Sequence, residues 1–219
     1  MKFRSPLLLL LGIFITGVAS ADEVTTPVVS VVNVQTSDPG AYRAYLIENP
    51  EIFEALGAES GGTCTTVSGH RYPGQAFAFS FYNDAGSAFK AATRFANMPR
   101  SAELDAISSV VSAEFYAVIK PFTLPPGFER RYQIVVNDAA AYVAAATKLE
   151  QAMQANGHKV EVGIFQPLGN GHQKANVLDV RIFAVEPEVA GMMVNDFLQR
   201  KAWALEPYGE MLATIESLE

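Results

Sequence analysis

Short β-branched and aromatic runs alternate along this chain with stretches in which apolar residues recur at helical spacing. Val28 to Val34 and Tyr132 to Val136 are runs of this kind and predict strands. An aspartate suited to cap a helix follows each run, Asp38 in the first case and Asp138 in the second. The chain therefore starts the same strand-to-helix pattern twice.

A helix is predicted after each aspartate, because apolar residues then recur every three or four positions. The apolar positions are Tyr42, Tyr45, Leu46, Phe53 and Leu56 in the first helix, and Tyr142, Ala145, Leu149 and Met153 in the second. Gly57 and Gly157 stand at the predicted helix ends, where glycine commonly adopts a left-handed conformation.

Two hairpins, two further helices and two last strands complete the predicted pattern. The first half gives strands at Thr63 to Val67 and Phe77 to Tyr82, a helix at Ala85 to Asn97, and a strand at Glu114 to Ile119. The second half gives strands at Val160 to Phe165 and Val177 to Phe183, a helix at Pro187 to Trp203, and a strand at Met211 to Ile215. Each half then has the order β-α-β-β-α-β, which is the ferredoxin-like order.

Identical residues at an offset of 100 indicate an internal duplication. Asp38, Ala41, Tyr42, Ala44, Ala55 and Gly57 match Asp138, Ala141, Tyr142, Ala144, Ala155 and Gly157. The predicted organisation is a first ferredoxin-like repeat over residues 22–120, a proline-rich linker over 121–127 and a second repeat over 128–219. The fold class is α+β, with two antiparallel sheets that each carry helices on one face.

Two such sheets on one chain resemble the dimeric α+β barrel superfamily in a tandem, single-chain form. The resemblance implies that the two sheets pair as a pseudo-dimeric barrel, within the chain or in a homodimer. It also implies a pocket between one sheet and its own helices. The activities that it suggests are cofactor-free oxygenation or cyclisation, haem peroxidase chemistry, small-molecule degradation and plain ligand binding.

The two faces of the third strand of each half predict how the sheets pack. Phe77, Phe79 and Phe81 share one side of their strand, and we expect this apolar side to lie under the helices. In the second half, the side that carries Asp179 and Arg181 is expected to face the other sheet as an ion pair. Such a pair more often fixes the geometry of packing than performs catalysis.

The N-terminus has the pattern of a cleaved secretory signal. Lys2 and Arg4 precede an apolar run from Leu7 to Ile15, and the small residues Ala19-Ser20-Ala21 suit a signal peptidase. A signal peptide over residues 1–21 predicts a soluble protein of the periplasm or one that is secreted. The apolar run is too short for a comfortable membrane span.

Charge and cysteine content reduce the number of partners and of stabilising bonds that the chain can have. The chain has a formal net charge of −7 and no cluster of lysine and arginine in sequence, which argues against nucleic acid and anionic lipid as partners. Cys64 is the single cysteine, so no internal disulfide can form. We therefore expect a globular protein that is stabilised by packing alone.

The candidate pocket residues are tyrosines and histidines. Tyr42 and Tyr142 lie on the apolar faces of the first helices, where a hydroxyl could reach a ligand with help from Tyr45 or His70. The alternative is that both are core aromatic residues. His70 and His172 occupy comparable hairpin positions and could instead hold a metal, although solvated turn residues are the simpler interpretation.

These residues leave three hypotheses for function open. The first is binding of a small apolar or aromatic molecule, or of a protein partner. The second is a cofactor-independent oxygenase or lyase, for which no catalytic residue is identified. The third is a structural component of an envelope assembly. No cofactor and no metal are expected, because the histidines are predicted in loops and no ligand cluster has a recognisable spacing.

Overall fold

The computed structural model describes residues 25–123, 127–169 and 176–216. The predicted signal segment and His172 lie outside these ranges. The first half of the described chain forms β1 (Val28–Thr36), α1 (Pro39–Glu48), α2 (Glu51–Leu56), β2 (Ser60–Thr65), β3 (Gln75–Tyr82), α3 (Ala85–Asn97), α4 (Ala102–Ile107) and β4 (Ser108–Lys120). The second half forms β5 (Phe128–Val135), α5 (Ala139–Ala155), β6 (Val160–Leu168), β7 (Val177–Ala184), α6 (Pro187–Leu198) and α7 (Ala202–Leu212).

All the paired strands belong to one antiparallel sheet in the order β2-β3-β1-β4-β6-β7-β5. The two halves are joined edge to edge where β4 pairs with β6, from Phe115 opposite Leu168 to Lys120 opposite Ile164. The prediction of two separate sheets is therefore wrong, although the α+β class is confirmed. Backbone hydrogen bonding at the outer edge of β4 pairs the halves within a single chain.

The sheet curves so strongly that its two ends meet across an interior. Strand β3 is second in the sheet and β5 is last, yet the Arg131 guanidinium of β5 lies 5.9 Å from the Phe77 ring centroid of β3. Near the rim, Arg71 donates a hydrogen bond of 2.7 Å to the Gln133 side-chain oxygen. The sheet is therefore barrel-like, and side chains rather than backbone ladders span the last gap between its edges.

The helices cover the outside of this barrel and begin where the sequence predicts. Asp38 accepts a hydrogen bond from the Ala41 amide at 2.9 Å, and Asp138 accepts one from the Ala141 amide at 3.1 Å. Both aspartates thus cap a first helix. In the parts of the chain that the structure describes, no helix is both long and apolar enough to cross a membrane.

Two predicted helices are each split in the structure. The first half has α1 and α2 instead of one helix, because Pro50 lacks the amide hydrogen that a continuing helix needs. In the second half α6 ends at Leu198 and α7 begins at Ala202, with Arg200 between them at a φ of 54°. The short helix α4 was not predicted.

The predicted last strand over Met211 to Ile215 is wrong for most of its length. Helix α7 continues to Leu212, and only Ile215 reaches the sheet, in an isolated bridge to Val136. Met211 and Trp203 pack instead against the core that α5 forms with the sheet. Burial of these two large side chains outweighs the extended pattern of the segment.

The orientation of β3 also differs from the prediction. Phe77 lies in the interior of the barrel together with Phe79 and Phe81, while Ala76 and Tyr82 face the helices. The small side chains on the outer face allow the helices to pack closely, and the large rings fill the wider interior. In β7 the orientation agrees with the prediction, since Leu178 and Val180 face the helices.

A half-buried ion pair secures the joint between the halves. Lys120 at the end of β4 lies 2.8 Å from the Glu150 carboxylate of α5 and also donates to the Val162 carbonyl. The other oxygen of Glu150 accepts a hydrogen bond of 2.6 Å from the Val162 amide. The ion pair thus supplies hydrogen-bond partners for the backbone carbonyl and amide of Val162 in β6, just beyond the last residue of β6 that pairs with β4.

Replacing Glu150 by alanine should lower the free energy of unfolding by about 3–5 kcal/mol, because Lys120 and the Val162 amide both lose their partner. Glu150→Gln keeps an acceptor and should lose less, about 1–2 kcal/mol. Urea denaturation of both variants gives the comparison. Glu210→Ala, which breaks the exposed pair with Lys148, is the control and should leave the midpoint nearly unchanged. Equal losses in the two Glu150 variants would contradict this account.

Candidate ligand-binding site

A cavity of about 1160 Å³ occupies the barrel interior and opens between the two ends of the sheet. Its walls come from both halves: β2, β3 and β4 supply one side, and β5, β7 and the segment at Phe122 supply the other. The volume is slightly above the range of about 300–1,000 Å³ that is typical of small-molecule sites. The cavity therefore exists only because the two halves are joined.

One wall of the cavity is aromatic. The Phe122 and Phe183 rings are stacked with centroids 3.8 Å apart, and Phe122 also packs edge-on against Phe81 at 6.2 Å. Phe79 and Phe81 form a further edge-on pair at 5.8 Å. Rings from strands of both halves thus make a continuous apolar surface of the kind that binds flat apolar molecules.

Gly163 of β6 allows this aromatic packing. A side-chain carbon at this position would lie 2.9 Å from the Phe122 ring and 3.0 Å from the rings of Phe165 and Phe183. These distances are shorter than carbon–carbon contacts allow. The missing side chain leaves the space that the aromatic wall fills.

The floor of the cavity is charged, and its centre is Asp179 of β7. Asp179 is fully buried and accepts a hydrogen bond of 2.6 Å from Arg131 and one of 3.0 Å from Arg181. Arg131 and Arg181 are direct cross-strand neighbours in the β5–β7 register, so their charges would repel each other without the carboxylate. The predicted Asp179–Arg181 ion pair that faces the other half is confirmed, and Arg131 extends it.

One nitrogen of Arg181 is left without a partner. The residue is only 4% exposed, and its Nη2 atom has no hydrogen-bond acceptor within the described residues. Its Nε donates to Asp179, and its Nη1 is 3.7 Å from the Glu129 carboxylate. The guanidinium carbon lies 4.9 Å from the Phe165 centroid and 5.5 Å from the Phe77 centroid. A buried donor that remains unpaired is costly, and because Nη2 itself has almost no accessible surface, a molecule in the cavity cannot reach it without a shift of the side chain.

A second network lies beside the arginines. Tyr116 is fully buried, its hydroxyl donates to the Glu114 carboxylate, and the hydroxyl oxygen accepts a bond of 3.2 Å from Arg131. Burial and the bond to Glu114 raise the pKa of Tyr116, so its hydroxyl keeps its proton. Burial also raises the pKa of Glu129, although Arg181 and Arg131 oppose the effect.

Charged side chains of both signs line the cavity. Five arginines line it, Arg43, Arg71, Arg130, Arg131 and Arg181, and the acidic groups at the site are Glu114, Glu129 and Asp179. The formal sum is 5 − 3 = +2, whereas the chain as a whole carries −7. Arg43 and Arg71 are exposed and Arg130 packs over the Tyr132 ring, so the excess of positive charge lies at the rim. In the interior, the two arginines Arg131 and Arg181 face three carboxylates, and the formal sum there is 2 − 3 = −1.

Cys64 also lines the cavity but is not activated as a nucleophile. Burial, and then the charge of Glu129, raise the pKa of the Cys64 thiol to about 12. The reactive form of cysteine is the thiolate, which is scarce at neutral pH when the pKa is so high. Cys64 therefore behaves as a small apolar wall residue.

The residues predicted for the pocket lie elsewhere. Tyr42 and Tyr142 are packed between their helices and the outer face of the sheet, and burial raises the pKa of each to about 12. Tyr45 bonds to Ser101 at 2.7 Å on the surface, and His70 is exposed in the loop between β2 and β3. None of these four lines the cavity, and His172 lies outside the described residues.

The histidines that the structure describes do not fit a haem ligand. His70 lies in the exposed loop, and His158 follows α5 with its Nε2 atom 3.0 Å from the Asp196 carboxylate and its ring against Trp203. A proximal haem ligand instead needs a ring nitrogen free to face a cavity. Within the described ranges, no group of three or more histidine, cysteine or acidic side chains could hold a metal ion.

Sequence reasoning predicted the Asp179–Arg181 pair but missed the other arginines, because they are scattered along the chain. Arg71, Arg131 and Arg181 come together only when the sheet curves, and no spacing rule connects them. One signal was available, namely a charged pair in the middle of the apolar strand β7. A charge at such a position must be paired with an opposite charge or serve a function, so Asp179 and Arg181 indicated where the site lies.

Comparison with known proteins gives similarity in structure alone. No family model matches the sequence, and no curated protein matches it either. A provisionally assigned monooxygenase from Lactobacillus acidophilus NCFM is 11% identical, and the match covers 88% of this chain and 90% of the other at a TM-score of 0.54.

Two further solved structures are similar at a TM-score of 0.50. A provisionally assigned chlorite dismutase is 11% identical, and the match covers 78% of this chain and 85% of that one. An anthrone oxidase-like protein is 14% identical, with 87% of each chain covered. With its single antiparallel sheet curved around an interior and its helices outside, this chain has the fold of the dimeric α+β barrel superfamily.

Proposed function

We propose that this protein binds a small molecule in the interior of the barrel, and that the molecule is mainly apolar and about as large as an aromatic ring system. The observation that carries the proposal is the cavity of about 1160 Å³ with a wall of phenylalanine rings. Phe79, Phe81, Phe122 and Phe183 offer flat apolar surface that faces the cavity rather than the helices. Apolar side chains that line a concave space, together with a few polar groups, are typical of ligand sites.

Binding is preferred to catalysis because the Cys64 thiol in the cavity wall and the Tyr116 hydroxyl beside the arginines are not activated near neutral pH. The thiol of Cys64 and the hydroxyl of Tyr116 both have a raised pKa and hold their protons. A general base works best when its pKa lies near the working pH. The solved structures that resemble this chain include a provisionally assigned monooxygenase, and oxygenase activity is the alternative function.

Export and internal duplication are further proposals. The N-terminal pattern that ends at Ala21 supports a cleaved signal and a periplasmic or secreted location. Duplication is supported by matching features: the Asp38 and Asp138 caps, and the positive φ of Gly57 and Gly157, which are 75° and 87°. Superposition of residues 28–120 on 130–216 in an experimental structure would test the duplication.

Phe79→Ala should weaken binding of prodan, a neutral naphthalene dye, by roughly 5–20-fold, because one aromatic face of the cavity is lost. The native protein should shift the dye emission to the blue, and fluorescence titration measures both affinities. Phe89→Ala is the matched control, since Phe89 is 51% exposed on α3 outside the cavity. An equal effect of both substitutions, or no binding of prodan by the native protein, would contradict the proposal.

The alkylation rate of Cys64 should keep rising with pH well above 9. The raised thiol pKa of about 12 lowers the thiolate fraction at pH 8, and the thiol should react roughly 10–100-fold more slowly than free cysteine. Rates with iodoacetamide, followed by intact mass, test this expectation. Saturating prodan should slow the reaction further. A rate that levels off near pH 9 would show a solvent-exposed thiol instead.

Protein recovered from an exporting bacterial host should begin at Asp22 and contain 219 − 21 = 198 residues. Intact mass spectrometry of the extracellular and periplasmic fractions measures the cleavage point. Ala19→Arg together with Ala21→Arg should block cleavage, because signal peptidases need small residues there. Full-length protein in the cytoplasm of the native-sequence strain would contradict the proposal.

A further inference from the structure

We propose that the opening between β2 and β5 receives an extended peptide segment of another protein, which pairs with both strands as an eighth strand of the barrel. The segment alternates apolar residues, which face the interior, with acidic residues, which face outward. This inference goes beyond the binding of a small molecule and does not depend on it, because it starts from the two open edges of the sheet.

One strand position of the barrel is vacant among the described residues. The first half contributes four strands in the order β2-β3-β1-β4, whereas the second half contributes three, β6-β7-β5. Strand β4 pairs with β1 of its own half and with β6 of the other half. The equivalent strand of the second half would pair with β5 and β2. The segment predicted for that place lies mostly in α7 instead, which continues to Leu212.

The directions of the strands also leave room for one more. Every neighbouring pair in the sheet is antiparallel, so β2 and β5, the first and last of seven strands, run the same way. They cannot pair antiparallel with each other, whereas one strand of opposite direction can pair with both. Such a strand needs about 9–10 Å between β2 and β5, twice the usual spacing. The long side chains of Arg71 and Gln133 make the contact across this gap at the rim.

The cavity runs along the open edges of these two strands. All six residues of β2 border it, and so do the consecutive residues 127–133. Strand β3 is paired on both sides and contributes only alternate residues, namely Gln75, Phe77, Phe79 and Phe81. Alternate side chains are all that one face of a paired strand can present. The opening therefore follows the backbone of β2 and of β5.

Backbone hydrogen bonds show which groups of β5 face the opening. The Val136 amide donates to the Asn176 carbonyl on the side of β7, whereas the Val135 carbonyl accepts from the Glu216 amide on the opposite side, both at 2.9 Å. Amides and carbonyls alternate between the two sides of a strand, so Gln133 and the alternate residues before it face the opening as Val135 does. Within the described ranges β5 pairs only with β7, and these groups have no backbone partner.

The edge of β2 is open in the same way. The Thr66 amide donates to the Gln75 carbonyl at 3.0 Å, so Thr65 and Thr63 turn their amides and carbonyls towards the opening. In the part of the chain that the structure describes, β2 pairs only with β3. A row of unpaired amides and carbonyls is a template for a further strand, and many proteins bind peptides at such an edge.

The surroundings select the side chains of the incoming strand. Its inward residues adjoin Cys64 and the Phe79 ring, and the interior already has more carboxylates than arginines, so apolar side chains fit there. Its outward residues adjoin Arg43 and Arg130. Among the described residues, neither these two arginines nor Arg71 forms an ion pair with a carboxylate. Acidic residues at the outward positions supply the complementary charge.

A peptide of this pattern, acetyl-Thr-Phe-Glu-Val-Glu-Phe-Thr-amide, tests the inference by calorimetry with the native chain. The same peptide N-methylated at its Val and both Phe residues should bind at least 10-fold more weakly, because it keeps the side chains and loses backbone donors. A version with Lys in place of both Glu residues should bind roughly 5–10-fold more weakly at low salt. This second difference should shrink as the salt concentration rises.

Thr65→Pro should weaken binding of the peptide at least 5-fold, because proline removes an amide that faces the opening and is tolerated on an edge strand. Ala102→Pro is the matched control. Ala102 is the first residue of α4, where proline is favoured, and it lies outside the cavity, so the affinity should stay within about threefold. Circular dichroism checks the fold of both variants, and Gln133→Pro replaces Thr65→Pro if the latter does not fold.

Equal binding of the plain and N-methylated peptides would overturn strand pairing, because side chains alone would then hold the peptide. No binding of the peptide, with prodan still bound, would overturn this inference and leave the proposed function standing. Binding of the peptide but not of prodan would do the reverse. A dimer that the peptide dissociates, seen by sedimentation velocity, would show a second copy of this chain in the opening and overturn the assignment to another protein.

Discussion

The interior of this barrel depends on the buried carboxylate of Asp179. Arg131 and Arg181 lie side by side on neighbouring strands, and without an anion between them their two positive charges would repel each other. Removing one member of such a group leaves an uncompensated buried charge, which is more costly than the group as a whole is stabilising. Asp179 thus permits two arginines to lie in the interior, where packing alone would require apolar side chains.

The second constraint is the joint between β4 and β6. Because the halves share a backbone ladder there, the rings of Phe122 and Phe183 from one side reach those of Phe79 and Phe81 from the other. The fold is shared with proteins of differing names, so the fold itself does not specify chemistry. The chemistry of the site depends instead on the few side chains that the pairing of β4 with β6 brings together.

Much of the fold followed from the sequence, because local patterns determine local elements. Asp38 and Gly57 mark the start and end of the first helical region correctly. Six of the seven strands begin within four residues of their predicted positions, whereas β4 begins six residues before the predicted Glu114. Residue spacing could not show which face of β3 turns inward, since alternation in a strand identifies two faces but not their neighbours. The site was missed for the same reason: Tyr42 looks like a pocket residue in sequence, whereas Arg181 becomes one only through curvature.

Between β2 and β5 the barrel is closed without a backbone ladder, and near the rim the side chains of Arg71 and Gln133 span the gap. That hydrogen bond is exposed, so water can replace it at little cost. The opening between the two ends of the sheet can therefore widen by rotation of surface side chains, which takes picoseconds to nanoseconds, and no strand has to separate from the sheet. The entrance of the cavity can thus change shape quickly while the buried arginines around Asp179 stay fixed.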